Sequence, residues 1–152
     1  MGEHHPFRAP AEAAALARRV ADHMWANDHA SQALGMRLVD VGPGTAHLAM
    51  SVRRDMLNGH EICHGGFIFT LADSAFAYAC NSYNLVTVAS GCAIDFVAPA
   101  REGDELHAHA HERNATGRTG VYDIEVTNQR GEKIALFRGK SYRIKGHVVE
   151  EA

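Results

Sequence analysis

The spacing of apolar residues along the chain changes period several times, and each change marks a boundary between elements. From Ala11 to about Gln32, Leu16, Val20, Met24 and Trp25 recur at helical spacing in an Ala-rich background, which predicts an amphipathic helix that Gly35 ends. Apolar and polar residues then alternate from Met36 to Val41 and from Thr45 to Val52, on either side of Gly42-Pro43-Gly44, the pattern of a β-hairpin. A polar approach, Arg53 to Cys63, leads to Gly65-Gly66. From Phe67 to Asn81 there is no Pro or Gly, Ala recurs at 72, 75, 77 and 79, and apolar residues fall on nearly every side of a helical projection. A helix of about four turns, wrapped by the rest of the fold, is expected there. Val86 to Val97, stopped by Pro99, then Glu105 to Asn114, Gly120 to Asn128 and Lys133 to Ile144 read as strands. Met1 to Pro10 reads as a frayed start and the chain from His147 as a loose tail. A hairpin, one buried helix and a run of strands long enough to curl around it specify an α+β domain with an antiparallel sheet wrapped on a helix.

One acid interrupts the central helix: Asp73. A carboxylate among apolar neighbours is costly unless it is paired, hydrogen-bonded or required for chemistry. It is therefore either a satisfied structural acid, bonded to Ser74 or a neighbouring strand, or a reacting group. The two glycines at the helix start let the backbone approach another molecule, and the first N–H groups of a helix lack internal partners, so this junction is a candidate oxyanion site. Asp73 lies eight residues beyond Gly65, about 12 Å along a helix axis. An attacking group and an oxyanion donor must both lie about 3 Å from one reacting centre. The two cannot serve one substrate within a single chain. If both are catalytic, they meet across a two-fold axis in an obligate dimer with two equivalent sites.

Composition narrows the partners. The 152 residues carry a formal net charge of −3, which gives no basic surface for nucleic acid, and no stretch reaches the length of a membrane span. The N-terminus has neither an apolar core nor a cleavage pattern, and Cys63, Cys80 and Cys92 are odd in number without metal-type spacing, which suits reduced thiols in a cytoplasmic protein. His60, Cys63 and His64 lack a fourth ligand at any usual spacing. His107, His109 and His111 alternate on one strand face and read as surface imidazoles, so no metal is expected. Asn58 and His64 flank the loop before the glycines. An amide there could orient a water or a carbonyl, and an imidazole could donate a hydrogen bond or hold the loop shape. Arg138, Lys140, Arg143 and Lys145 make the last strand basic: a solvated edge, or a landing site for a phosphorylated ligand such as the nucleotide part of coenzyme A. No serine nucleophile elbow, P-loop or dinucleotide fingerprint is present.

The run from Asn58 through His64-Gly65-Gly66 to Leu71-Ala72-Asp73 resembles the hotdog-fold acyl-CoA thioesterases of the phenylacetate-degradation (PaaI) type. The likeness extends over about Leu34 to Gly146, through Asp55 to His60, Ala75 to Ser82, Ile94 to Phe96, Thr119 to Glu125 and Ala135 to Ser141. It implies a hotdog fold, in which an antiparallel sheet wraps a long central helix, spanning 34–146 between a mostly helical extension, 1–33, and a flexible tail, 147–152. It also implies homodimers joining into homotetramers, and hydrolysis of phenylacetyl-CoA or its ring-hydroxylated derivatives without a cofactor, coenzyme A being part of the substrate. By the same resemblance Gly65 would polarise the thioester carbonyl through its backbone N–H, with Gly66 beside it. Asp73 of the partner chain would be nucleophile or general base, and Asn58 and His64 would position the carbonyl, the water or the loop. Ser74 and Ser90 are the nearest candidates for a substrate-side hydroxyl that some relatives carry. Two other readings compete. A hotdog enoyl-CoA hydratase or dehydratase would use a His as base, whereas this helix carries Asp and no His. A non-catalytic acyl-CoA sensor would normally need a DNA-binding segment.

Overall fold

The computed structural model describes residues 7–150; most of the start expected to be frayed, and the last two residues of the tail, lie outside the described residues. Two helices open the chain, α1 (Pro10–Asn27) and α2 (His29–Ala33), followed by the hairpin β1 (Arg37–Gly42) and β2 (Thr45–Ser51). A short 3-10 turn (Arg54–Met56) and a loop lead into α3 (Gly65–Cys80), after which come β3 (Leu85–Phe96), β4 (Glu105–Thr116), β5 (Thr119–Thr127) and β6 (Lys133–His147). The six strands form one antiparallel sheet in the order β1-β2-β4-β5-β6-β3. The strand that follows the helix therefore crosses to the far edge and pairs only with the last strand, rather than starting a simple sequential run.

The expected single N-terminal helix is broken at Asp28. Its carboxylate accepts the Ser31 N–H at 3.1 Å, starting α2 as an N-cap, and accepts the Tyr78 hydroxyl of α3 at 3.0 Å. The 1% exposed Ser31 places its Oγ 2.9 Å from Ser74 Oγ, and Trp25 packs beside Tyr78 with ring centroids 6.3 Å apart. The N-terminal arm is thus tied to one face of α3. At the other end, the tail expected to be loose is held as far as Glu150. Asn84 donates to the Val149 carbonyl at 2.9 Å and accepts the Val149 N–H at 2.8 Å, and Arg19 donates to the Glu150 carbonyl at 3.0 Å.

Period-2 alternation turns Leu48, Leu106, Ile124 and Phe137 toward α3, where Leu71, Ala72, Ala75 and Phe76 meet them, all nearly inaccessible to solvent. The helix comes very close to β6: a Cβ on Gly139 would lie 2.8 Å from the Phe76 ring. The sheet covers only one side of α3. Contrary to the expectation of a helix wrapped all round, a stripe containing Phe69, Asp73 and Ala77 is only partly buried in the single chain.

The outer face of the sheet carries a cluster that the spacing of His107, His109 and His111 only partly revealed. His47 of β2 shares a 2.9 Å hydrogen bond with His107 and stacks on His109 with ring centroids 4.0 Å apart. Burial, together with the neighbouring His109 and His107, lowers the His47 pKa to about 4, against a smaller opposing pull from Asp40. Between that value and the ordinary 6.5 the unfolded chain binds the extra proton, so stability falls as pH drops through this window. Acidification from pH 7.5 to 5 is therefore expected to lower the melting temperature more in the wild type than in His47→Gln. The difference corresponds to on the order of 1 kcal/mol, discounted because the cluster lies at the surface. Parallel thermal melts at the two pH values test it.

Candidate active site

The loop before α3 is fixed by its own backbone and by Asn58. Leu57 and Cys63 form an isolated bridge, His64 N–H donates to the Met56 carbonyl at 2.8 Å, and Cys63 N–H donates to the Ala100 carbonyl at 2.7 Å. Asn58 Oδ1 accepts the His60 N–H at 2.9 Å, holding a tight turn in which Glu61 adopts a left-handed φ of 60°. His64 is the N-cap of α3: its Nδ1 accepts the Gly66 N–H at 2.9 Å, while its carbonyl accepts the Phe67 N–H at 3.0 Å. That bond requires Nδ1 to be unprotonated. Gly65, the first helical residue, is left with no acceptor for its N–H among the described residues. One amide at the positive end of the helix remains available to a developing negative charge.

Asp73 lies two turns further along the same unbroken helix, about 12 Å from Gly65 by helical rise. Its carboxylate is half-buried and makes no hydrogen bond or ion pair among the described residues, and burial raises its pKa above the ordinary carboxylate value. The adjacent Ser74 does not hold it, since the Ser74 hydroxyl is paired with Ser31. Asp73 also acts electrostatically on Cys92 of β3 and on Cys80, raising both thiol pKa values in addition to the larger effect of burial. Burial pushes Cys63 up to about 11 and Cys80 up to about 12, so these thiols stay neutral near pH 7.

The edge strand runs along the exposed side of this helix. Cys92, Ile94 and Phe96 share the face whose β6 partners are Gly139, Phe137 and Ala135, the face that packs on α3. Cys92 sits at the Asp73 end, and Phe96 reaches the Gly65 end, where its ring would lie 2.8 Å from a Cβ on that glycine. Four residues of strand span about 13 Å, matching the helical separation of Gly65 and Asp73. Phe96 belongs to the family-like stretch Ile94 to Phe96 but is not among the site candidates that the sequence offers. The alternation of Cys92, Ile94 and Phe96 was the available signal, but it points to the glycine only once the helix is in place.

The remaining sequence candidates are spread out. Ser90 lies on the exposed edge strand and donates to the Lys140 carbonyl at 3.1 Å. Arg138 is committed to a bidentate pair with Asp123, at 2.7 and 2.9 Å, and Arg113 joins the same carboxylate at 3.0 Å. Alternation along β6 puts Arg138 and Lys140 on the outer face of the sheet. Arg143 falls in the register of Phe137, Gly139 and Ser141, away from Arg138 and Lys140, and Lys145 lies in the irregular stretch of β6 between Arg143 and His147. A surface cleft of about 770 Å³ lies on that outer face, between His109, His111, Arg113 and Arg138. It is on the opposite side of the sheet from Gly65 and Asp73. Among the described residues no group of three or more His, Cys, Asp or Glu side chains is arranged to hold a metal ion, and no helix is long and apolar enough to cross a membrane.

A six-stranded antiparallel sheet curved over one long helix, with a free amide at the helix start and an unpaired carboxylate along its length, defines a hotdog-fold thioesterase; the family model described as Thioesterase superfamily matches residues 60–135. The chain is 52% identical to acyl-coenzyme A thioesterase PaaI of Escherichia coli, over 85% of this chain and 92% of that protein. The solved structure of the E. coli PaaI protein, from the phenylacetic acid degradation operon, superposes with a TM-score of 0.87 at 50% identity, covering 88% of this chain and 97% of that one. A variant of the phenylacetic acid degradation protein PaaI from Thermus thermophilus superposes with a TM-score of 0.72 at 40% identity, covering 75% of this chain and 97% of that one. The chain belongs to the PaaI-type acyl-CoA thioesterases, and its activity is hydrolysis of acyl-CoA thioesters.

Proposed function

We propose that the substrates are aryl-acyl-CoA esters, phenylacetyl-CoA and its ring-hydroxylated derivatives first among them, hydrolysed to the free acid and coenzyme A in phenylacetate catabolism. The work is done at a site built from two chains. The observation that carries this is the pairing, on one unbroken helix, of a Gly65 amide and an Asp73 carboxylate about 12 Å apart, neither with a partner among the described residues. Each is half of a site.

The exposed edge supplies the way to join the halves. β3 has twelve residues, pairs on one side only, and leaves Val88, Phe96 and Val97 about half-exposed, an open template for another chain. Pairing two copies of β3 about a two-fold axis lays two α3 helices antiparallel and brings Gly65 of one protomer toward Asp73 of the other. Two such dimers make the homotetramer.

In that arrangement the Gly65 N–H polarises the thioester carbonyl and takes up the negative charge that develops on its oxygen. The ionised Asp73 either attacks the carbonyl itself, expelling the thiolate of coenzyme A and leaving a mixed anhydride that water then hydrolyses to the free acid and Asp73, or draws a proton from a water that attacks in its place as the thiolate departs. Asn58 keeps its Oδ1 in the loop, leaving an amide N–H for the carbonyl or the water, and His64 secures the helix start. Phe69, partly buried on the Asp73 stripe and packed edge-on against Phe137 at 5.2 Å, offers an aromatic wall to an aryl group. Relatives from phenylacetic acid degradation support the same substrates. A thiol-release assay over aryl, short-chain and long-chain acyl-CoA esters should rank phenylacetyl-type esters first in kcat/KM, and a preference for palmitoyl-CoA would overturn the assignment.

A further inference from the structure

We propose that Phe96 is a positioning residue of the hydrolytic site: its ring covers one side of the Gly65 amide and keeps water from it, and residue 65 is glycine so that the ring can lie there. This rests on the reading of Gly65 as the oxyanion donor and adds a second residue to that end of the site.

Glycine at 65 has no conformational cause, because its φ is outside the left-handed region that favours glycine. It has a steric one. A Cβ at this position would lie 2.8, 3.2 and 3.4 Å from three atoms of the Phe96 ring, so the ring is seated against the peptide. Nor does the core of the single chain require the ring there: Phe96 is 55% exposed, at the end of the edge strand. Within one chain the ring is left half uncovered on the helix start, at the edge where a second protomer would pair, so the oligomeric state of each variant below is measured beside its rate.

The Cα it packs on is one bond from the free N–H, and a ring lying there has a chemical consequence. A donor open to bulk water exchanges one hydrogen bond for another when substrate arrives, whereas a donor shielded on one side meets the developing oxyanion in a lower local dielectric and holds it more strongly. The effect is on the charge that appears during reaction, so it belongs mainly to kcat.

The test uses four variants of the full chain: Phe96→Ala, Phe96→Leu, Gly65→Ala and the Phe96→Ala/Gly65→Ala pair. The atom that Gly65→Ala would strike is the tip of an exposed side chain able to swing aside. This variant should therefore fold and keep its N–H, yet lose the covering ring. Phe96→Ala and Gly65→Ala are each expected to lower kcat about tenfold on phenylacetyl-CoA, with KM changed by less than about twofold. The double variant should be no worse than the weaker single, because both remove the same interaction. Phe96→Leu, which keeps apolar cover, should recover most of the rate. Wild-type kcat in Phe96→Ala, or losses that multiply in the double variant, would overturn the proposal. If Phe96→Ala fails to fold, the other two singles decide: full activity in Gly65→Ala, or a loss in Phe96→Leu as large as that in Gly65→Ala, overturns it. Asp73→Asn in the same assay separates the two levels. Activity surviving in Asp73→Asn removes the catalytic reading itself, whereas an inactive Asp73→Asn with multiplying losses removes only the role of Phe96.

Discussion

Asp73→Asn is expected to lower kcat at least about a hundredfold, the scale for loss of a catalytic base, while leaving the fold and the oligomeric state unchanged. The structural half of this expectation follows from what Asp73 lacks. No hydrogen bond or ion pair among the described residues depends on its charge, and its surroundings are partly desolvated. Replacing it with a neutral side chain of the same shape leaves no partner orphaned and relieves the cost of keeping a charge there. A structural acid would behave in the opposite way, losing stability on neutralisation. Thermal melts beside single-turnover rates distinguish the two: an unchanged or raised melting temperature with a collapsed rate marks a catalytic carboxylate.

The same burial sets a pH signature. Because the Asp73 pKa is raised, the ionised fraction begins to fall at a higher pH than for an ordinary carboxylate. The acid limb of kcat should lie correspondingly high. His47 also titrates toward low pH, but as a loss of folded protein rather than of rate per folded molecule, so rates normalised to native fraction keep the two effects apart.

Much of this site was legible in the residues, and what was not has identifiable causes. The hairpin, the central helix and its one acid are local patterns, and the structure places their ends within a residue or two of the sequence boundaries. The break at Asp28 is different. Apolar spacing runs on past Asn27-Asp28, and the stop is set by a hydroxyl on Tyr78, fifty residues away. The same long-range contact accounts for Ser74, whose hydroxyl looked free for substrate and is taken by Ser31. The edge position of β3 depends on which strand the last one pairs with, which no local period encodes. His64 shows a chemical gap: N-caps are usually Ser, Thr, Asp or Asn, and an imidazole Nδ1 does the same work here. The division of Arg138 and Lys140 from Arg143, by contrast, follows from strand alternation alone and could have been read beforehand.

Whether one site draws on two chains can be decided by complementation, and the structure supplies a clean second lesion. Gly65→Pro should remove the free amide with little harm to the fold. Proline is favoured at the first helical position, the lost N–H has no acceptor among the described residues, and His64 already adopts the extended conformation (φ −60°, ψ 132°) required before proline. Its ring would displace Phe96 as an alanine would, so Gly65→Ala is the reference, and the further loss in Gly65→Pro measures the amide. Gly65→Pro is expected to fall a hundredfold or more below wild type, the scale for loss of an oxyanion donor. Co-expressing Gly65→Pro and Asp73→Asn under two affinity tags, and purifying the assemblies that carry both, then gives a decisive case. If each site takes its amide from one chain and its carboxylate from the other, one of the two sites combines the intact Gly65 of the Asp73→Asn chain with the intact Asp73 of the Gly65→Pro chain. The second site carries both lesions, so each mixed dimer works at about half of the wild-type rate, and doubly tagged tetramers, which also hold some unmixed dimers, should recover a substantial fraction of wild-type activity although each parent is nearly inactive. If amide and carboxylate worked within one chain, every site in the mixed dimer would be damaged and its rate would stay at the parental level.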